Sequence, residues 1–464
     1  MTTMFRSALR LVMLFTVSLL IALQISVVAQ DKPKLNDESK RARTYALAML
    51  DEIKDIMKEH YYDQKYRGMD LKARIETAKE RVKTLQWNWQ MYRVIAQVLV
   101  ELDDSHTSFI LPRRGDHFRY GVSWQMIGEN CFVTLVKKDS DAHAQGIEVG
   151  DEVLSIRNFT PTRADLWKMS YVIYQLDPSK EMSLKIRKLD GTEKSLVIKA
   201  KTLTDKEYRA EIRERKAKLK ARKEKDEYEP FKCEEVSKEL IGCRLDSFIV
   251  EKGDIDKMMK RASKYPKLIL DLRQNGGGYV VIEEYLVSHF FDRQIKIAEI
   301  ITKKKTEPRI TKVMDAGKRY NGEVAVLVDS NSGSAAEITA RVLQIEKRAK
   351  VYGDFSAGAV MTSITVPLTS MLDPDAYYAS NLFGMSVTIA DVIMSDGSRL
   401  EKVGVVPDFP IQPTGLALKQ KMDPVFFFAA SKMGVEITPE NAGKFNFIAP
   451  RDLDDEPEKA EDGK

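Results

Sequence analysis

An apolar run, Val324 to Val328, stops in the small-residue turn Asp329-Ser-Asn-Ser-Gly-Ser334 and reopens as a helix-like pattern through Ile338, Val342, Leu343 and Ile345. Strand, tight turn and helix in that order lift a serine out of the core at a helix N-terminus. Unpaired backbone N–H groups and the positive dipole end favour negative charge there. A nucleophile of acyl transfer needs that environment, because an oxyanion develops beside the attacking oxygen. Taken alone, Ser334 reads more simply as an N-cap. Three other segments shift the balance.

The first is Leu270-Asp-Leu-Arg-Gln-Asn-Gly276-Gly277-Gly278, a strand (Leu268 to Leu272) ending in three glycines. Glycines let backbone N–H groups face a bound atom without side-chain obstruction. The spacing fits neither the Walker nor the dinucleotide phosphate loop. The second is Glu101-Leu-Asp-Asp-Ser105-His106-Thr107, just past an amphipathic helix. The chain has five histidines, and His106 is the one set in a small polar loop suited to a general base. His60, His117, His143 and His289 sit in charged or apolar contexts. The third is Glu401-Lys-Val-Gly-Val-Val-Pro407-Asp408, a loop running into a strand. Glu401 by itself reads as a surface carboxylate.

These segments need elements to carry them. Residues 36–115 read as a helical region, with Leu47, Leu50, Ile53, Ile56 and Met57 on one face and Met91, Val94, Ile95, Val98, Leu99 and Leu102 repeating the helical spacing. Residues 117–200 show short β-type runs (Phe132 to Val136, Val153 to Ile156, Ser183 to Ile186) separated by turn signals. Residues 201–232 read as a charged linker or solvated helix, since 201–229 hold 11 basic and 8 acidic side chains interleaved. From 233 to 450 strands and helices alternate, which predicts a layered α/β core. The tail 451–464 is acidic and reads as disordered.

Composition limits the function classes. At 464 residues, 43% hydrophobic and 31% charged, the chain suits a multi-domain globular protein apart from its first 29 residues. There Arg6 and Arg10 precede an apolar stretch ending Val27-Val28-Ala29-Gln30, the pattern of a secretory signal peptide. An uncleaved membrane anchor is the alternative, because the run is long enough to span a bilayer. No second segment could cross a membrane. The net charge of +5, two of it from the signal, gives no reason to expect nucleic acid. Cys131, Cys233 and Cys243 form no scaffold; Cys233 and Cys243 could pair across a hairpin or remain two buried thiols. No Cys/His cluster has zinc spacing, and the chemistry needs neither metal nor organic cofactor.

Together the segments resemble the tail-specific, or C-terminal processing, serine peptidases and the tricorn core protease. That family's Asp-x-Arg-x-Asn-x-Gly-Gly oxyanion segment is matched from Asp271 to Gly278. Its serine turn followed by Glu-Ile is matched by Ser332-Gly-Ser334-Ala-Ala-Glu-Ile338, and its Gly-Val-x-Pro-Asp segment by Gly404 to Asp408. The resemblance implies an α/β fold with a crotonase-like (ClpP-like) catalytic core over 233–450. It also implies an N-terminal helical region and an inserted PDZ β-sandwich or barrel over 117–200, most recognisable from Ala144 to Leu154.

One departure bears on mechanism. The tail-specific branch places a basic lysine 25 residues after its serine, where this chain has Ala359. The tricorn-like branch uses a histidine oriented by an adjacent serine and a distant glutamate, which Ser105-His106 and Glu401 match. The resemblance therefore implies Ser334 as nucleophile, His106 as general base, Ser105 and Glu401 as its supports, and the N–H groups of Gly277 and Ala335 as oxyanion donors. Lys347 and Lys350 are the bases to consider should His106 not serve. Peptide C-termini are expected near Tyr120-Gly121-Val122 of the PDZ region. The expected protein is an exported, periplasmic or extracellular serine endopeptidase acting on protein or peptide substrates. Its rivals are a catalytically inactive PDZ scaffold and, more remotely, a crotonase-type acyl-CoA enzyme.

Overall fold

The protein is described by a computed structural model over residues 37–112, 115–224, 229–369 and 383–445. The signal-like segment 1–29 and the acidic tail 451–464 lie outside these residues. Helices α1 (Asp37–His60), α2 (Leu71–Thr84) and α3 (Asn88–Val100) bury apolar side chains at helical spacing. Met49, Leu50, Ile53 and Met57 of α1 meet Ile75, Ala78 and Val82 of α2 and Met91, Ile95, Val98 and Leu99 of α3 in one cluster. Asp70 starts α2 by accepting from the N–H of Ala73 at 3.0 Å. A short strand, β1 (Ser108–Ile110), follows the Asp-Ser-His loop.

The next unit is bounded by a two-stranded ribbon. Strand β2 (Asp116–Arg119) enters it, and β8 (Lys201–Thr204) leaves it and pairs antiparallel with β2. Between them lie β3 (Val122–Ile127), β4 (Asn130–Val136), β5 (Glu152–Ile156), β6 (Glu181–Arg187) and β7 (Glu193–Lys199), an antiparallel sheet in that order. Met182, Leu184 and Ile186 alternate inward along β6. The β6–β7 hairpin turns at Asp190-Gly191, with Gly191 at φ +86°. Helix α4 (Leu166–Tyr171) covers the sheet with Met169. The charged stretch after β8 is mostly one helix, α5 (Asp205–Glu224).

The remaining elements form two sheets. Strands β9 (Phe231–Glu235), β10 (Leu240–Leu245), β11 (Lys267–Asp271), β14 (Glu323–Val328), β15 (Lys350–Gly353) and β18 (Phe409–Pro410) pair in the order β18-β15-β14-β11-β10-β9. All are parallel neighbours except β9. Helices α6 (Lys252–Ala262), α7 (Val280–Ser288) and α8 (Ala335–Ile345) cover one face, packing on Leu268, Leu270, Val324, Val326 and Val328. Helix α9 (Pro424–Lys432) covers the other, packing on Ile269, Ala325 and Leu327. Buried on both faces, the segments Leu268 to Leu270 of β11 and Val324 to Val328 of β14 are continuously apolar. Cys233 and Cys243 face each other across β9 and β10 and are disulfide-bonded.

The second sheet is antiparallel: β12 (Lys296–Thr302), β13 (Thr306–Ile310), β16 (Thr362–Pro367) and the long β17 (Gly384–Met394), which also takes β1 on its edge. Phe109, Met385 and Val387 of this sheet are sunk into the cluster of α1–α3. The helical region is thereby fixed to the α/β core, and the histidine loop with it.

Candidate active site

Ligand sites in parallel sheets lie beyond the carboxyl ends of the strands. Strands β11 and β14 are neighbours, so their following turns, 272–278 and 329–334, run side by side. Asp329 stitches them, its Oδ1 accepting the N–H groups of Gln274 and Asn331, each at 3.0 Å. Ser332 is fully buried, donates to Leu272 O at 2.8 Å and accepts the N–H of Asp329 at 2.9 Å. The Ser330 hydroxyl is bonded to Met126 O of β3. Both serines are thus spent on holding the turn.

Ser334 differs from both. Its backbone sits at φ 51°, ψ −117°, a conformation that strains any L-residue and projects the side chain off the turn. The packing there is tight: a Cβ on Gly277 (φ +97°) would lie 2.7 Å from Ser334 Cβ and 3.0 Å from Ala335 N. Only glycine fits, which explains that member of the triple-glycine run. The N–H of Ala335, first residue of α8, has no hydrogen-bond partner among the described residues. The N–H of Gly277 donates to Asn275 Oδ1 at 2.9 Å, so of the two expected oxyanion donors it is the one already engaged. Arg273 anchors the loop from below, fully buried and bidentate to both Asp271 and Asp423 at 2.7–2.9 Å.

The histidine loop is fixed by Asp104, whose buried carboxylate accepts from the His106 N–H at 2.8 Å, Thr388 Oγ1 at 2.7 Å and Tyr61 OH at 2.9 Å. Ser105 Oγ lies 2.7 Å from His106 Nδ1 and 2.9 Å from Glu401 Oε2. Glu401 also accepts the N–H groups of Ser105 at 3.1 Å and Val360 at 3.2 Å. Burial raises the Glu401 carboxyl above its ordinary range, against the pull of the Ser105 and Val360 donors. Burial lowers His106 below the ordinary histidine value, opposed by the Asp104 charge. The neutral imidazole is therefore the favoured form.

The serine and histidine sides meet through one peptide unit. Ser334 N donates to Ala359 O at 2.9 Å, while the next residue, Val360, donates to Glu401. Ser334 Oγ and His106 share no hydrogen bond; such bonds often tighten only when substrate is bound. Lys347 and Lys350 are exposed beyond the far end of α8 from Ser334, and Lys350 pairs with Asp408 at 3.0 Å.

A residue without an assigned role from the sequence is Glu337, quoted there only within the Glu-Ile pair. Fully buried, it accepts from Ser334 N at 3.0 Å, Ala359 N at 2.9 Å, Gly358 N at 2.7 Å and Ser356 Oγ at 2.6 Å. It clamps the serine turn to the 356–359 loop. Burial pushes its carboxyl up to about 7 despite those donors. The visible signal was an acid three positions into a helix after a serine, the capping-box pattern.

Tyr120 and Val122 turn their side chains inward, and the Tyr120 hydroxyl donates to Ser179 O at 2.7 Å. Any recognition at this turn falls to its backbone. From the same strand, buried Gln125 donates to Asp329 Oδ2 at 2.8 Å and accepts from Gln274 Nε2 at 2.6 Å. Among the described residues no cluster of three or more His, Cys, Asp or Glu could hold a metal, and no helix is long and apolar enough to cross a membrane.

Residues 243–411 match peptidase family S41. A tail-specific protease of Haemophilus influenzae is 23% identical over 325 residues, covering 66% of this chain and 43% of that protein. A carboxyl-terminal-processing protease of Picosynechococcus sp. is 24% identical over 352 residues, covering 71% and 75% respectively. The chain thus spans under half of the first relative and three quarters of the second. The crystal structure of mature CPAF superposes with a TM-score of 0.62 at 15% identity, over 82% of this chain and 94% of that one, a likeness of fold. The matched span runs from β10 to β18 and holds the turns after β11 and β14. By the family model over residues 243–411 and by its curated relatives, the chain is similar to the serine peptidases of family S41, among them tail-specific and carboxyl-terminal-processing proteases.

Proposed function

We propose that this chain is an exported serine endopeptidase of the tricorn-like branch, with Ser334 as nucleophile and His106 as general base. The observation that carries this reading is the Glu401–Ser105–His106 relay, tied to the Ser334 backbone through Ala359 and Val360. An ionised Glu401 can only accept, so Ser105 donates its hydroxyl proton to Glu401 and accepts from His106 Nδ1–H. That tautomer leaves Nε2 with a free lone pair. His106 then takes the Ser334 proton as the hydroxyl attacks a peptide carbonyl, and returns it to the leaving amine.

The Ala335 N–H, unpartnered at the start of α8, is the first oxyanion donor. Gly277 contributes the second by sharing its N–H with Asn275. Each such donor is worth about 3–4 kcal/mol of transition-state stabilisation. Because Ala359 offers no base and its carbonyl instead holds Ser334, the lysine of the tail-specific branch has no counterpart here.

The domain reading follows: helices over 36–115 deliver Ser105-His106, 233–450 form a crotonase-like core, and 117–200 form a PDZ domain. Strand β3 is paired only with β4 among the described residues, so its outer edge suits addition of a peptide strand. The Cys233–Cys243 bond and the N-terminal pattern favour an oxidising compartment outside the cytoplasm. The test is cleavage of an unfolded protein by wild type and Ser334→Ala, with substrates bearing free or amidated C-termini. The reading expects cleavage by wild type alone and a preference for free C-termini. Equal cleavage by the mutant would overturn the nucleophile, and indifference to amidation would overturn carboxylate capture.

A further inference from the structure

A large cleft lies away from the candidate active site, between the β3–β7 unit and helix α5. It encloses about 1370 Å³ and is lined by ten basic and four acidic side chains. Lys137 and Lys138 follow β4, Lys199 and Lys201 lie in β7 and β8, and Arg215 and Arg222 stand two turns apart on α5. A concave surface with that excess of one sign focuses a positive potential and selects an acidic partner. The chemistry at Ser334 does not use it.

We propose that its resident occupant is this chain's own acidic tail, residues 451–464. Three observations converge. Gly443 lines the cleft, and the described chain ends two residues on at Phe445, which is held there by stacking on Phe426 at 4.9 Å between ring centroids. The tail carries seven acidic side chains between Asp452 and Asp462 and three basic ones, Arg451, Lys459 and Lys464. From Phe445 to Asp452 is seven residues, an extended reach of about 23 Å. Charge complementarity and tethering then act together, because the tether gives the tail a high effective concentration at the cleft. Gly121 and Ser140 lie on the same wall, so the tail lies beside the turn proposed to receive substrate C-termini.

The test uses the full chain. A water-soluble carbodiimide joins carboxylates to lysine amines that touch, and the joined peptides are mapped by mass spectrometry. Tail carboxylates are expected on Lys137, Lys138, Lys199 and Lys201. Those links should be lost in about 1 M salt, where the Debye length falls to about 3 Å. They should also be lost in the Arg215→Glu/Arg222→Glu variant, which removes cleft charge but leaves every lysine acceptor in place. Tail links scattered over remote lysines such as Lys296 and Lys305, or links surviving both salt and the variant, would overturn the proposal. Binding of a polyglutamate probe at the cleft of the full chain, with no tail links, would overturn it in favour of an external acidic ligand.

Discussion

Ser105 Oγ bridges His106 Nδ1 at 2.7 Å and Glu401 Oε2 at 2.9 Å, joining residues almost 300 positions apart. A hydroxyl has one proton, and the carboxylate takes it. His106 must then keep its own proton on Nδ1 and present Nε2 bare. Ser105→Ala should lower turnover by roughly tenfold, because a misoriented imidazole still moves a proton. His106→Ala should lower it by at least roughly a hundredfold. Steady-state kcat of the two variants on one peptide decides the order. Equal losses would mean that Ser105 does more than orient.

The pH profile should follow the burial of His106. Its imidazole is held below the ordinary value of about 6.5. Charging it on acidification removes the base, so kcat/KM should fall with a midpoint below that value. A limb centred well above 6.5 would point to a different base.

Glu337 makes an opposite prediction for stability. Its carboxyl is raised to about 7 in the folded protein, so the folded state binds a proton that the unfolded chain releases nearer 4.5. Stability from this group is therefore present below about 4.5 and declines as pH rises towards 7. Denaturant midpoints of wild type and Glu337→Gln should show that slope in the former and a weaker one in the latter. Glu337→Gln should also slow turnover, because its amide cannot accept all four donors at the serine turn.

Ser332 and Ser334 of the turn should separate by role. Ser332→Ala removes the acceptor of the Asp329 N–H and one of two donors to Leu272 O inside the core, and should cost about 1–3 kcal/mol. Ser334→Gly should be more stable than Ser334→Ala, because glycine relieves a φ of 51° whose strain is of order 1–3 kcal/mol. Urea melts of the three variants would check both. A Ser332→Ala protein as stable as wild type would contradict the structural role given to that hydroxyl.

Much of this was legible in the sequence because the physics is local. A strand buried on both faces reads as Leu268 to Leu272 or Val324 to Val328, and the glycine and serine turns follow from residue type. The helical faces of α1 and α3 repeat at three and four residues, and burial respects that spacing. What stayed hidden depends on contacts between distant segments. Asp104 looks like any loop acid until Thr388 and Tyr61 are folded against it. Gln125 lies in an alternating strand and gives no sign that it reaches Asp329 and Gln274. Gly277 packs against Ser334, but the bond from its N–H to Asn275 is a local turn geometry that composition does not encode. The short strand β1 falls inside the stretch whose spacing predicts helices, because its pairing partner lies more than 270 residues away.

The most direct measurement is labelling by a fluorophosphonate probe, with the modified residue mapped by mass spectrometry in wild type, Ser334→Ala and His106→Ala. The account predicts an adduct on Ser334 in wild type, none in Ser334→Ala despite an intact fold by circular dichroism, and strongly slowed labelling in His106→Ala. An adduct on Ser332 or Ser330, or undiminished labelling without His106, would contradict it.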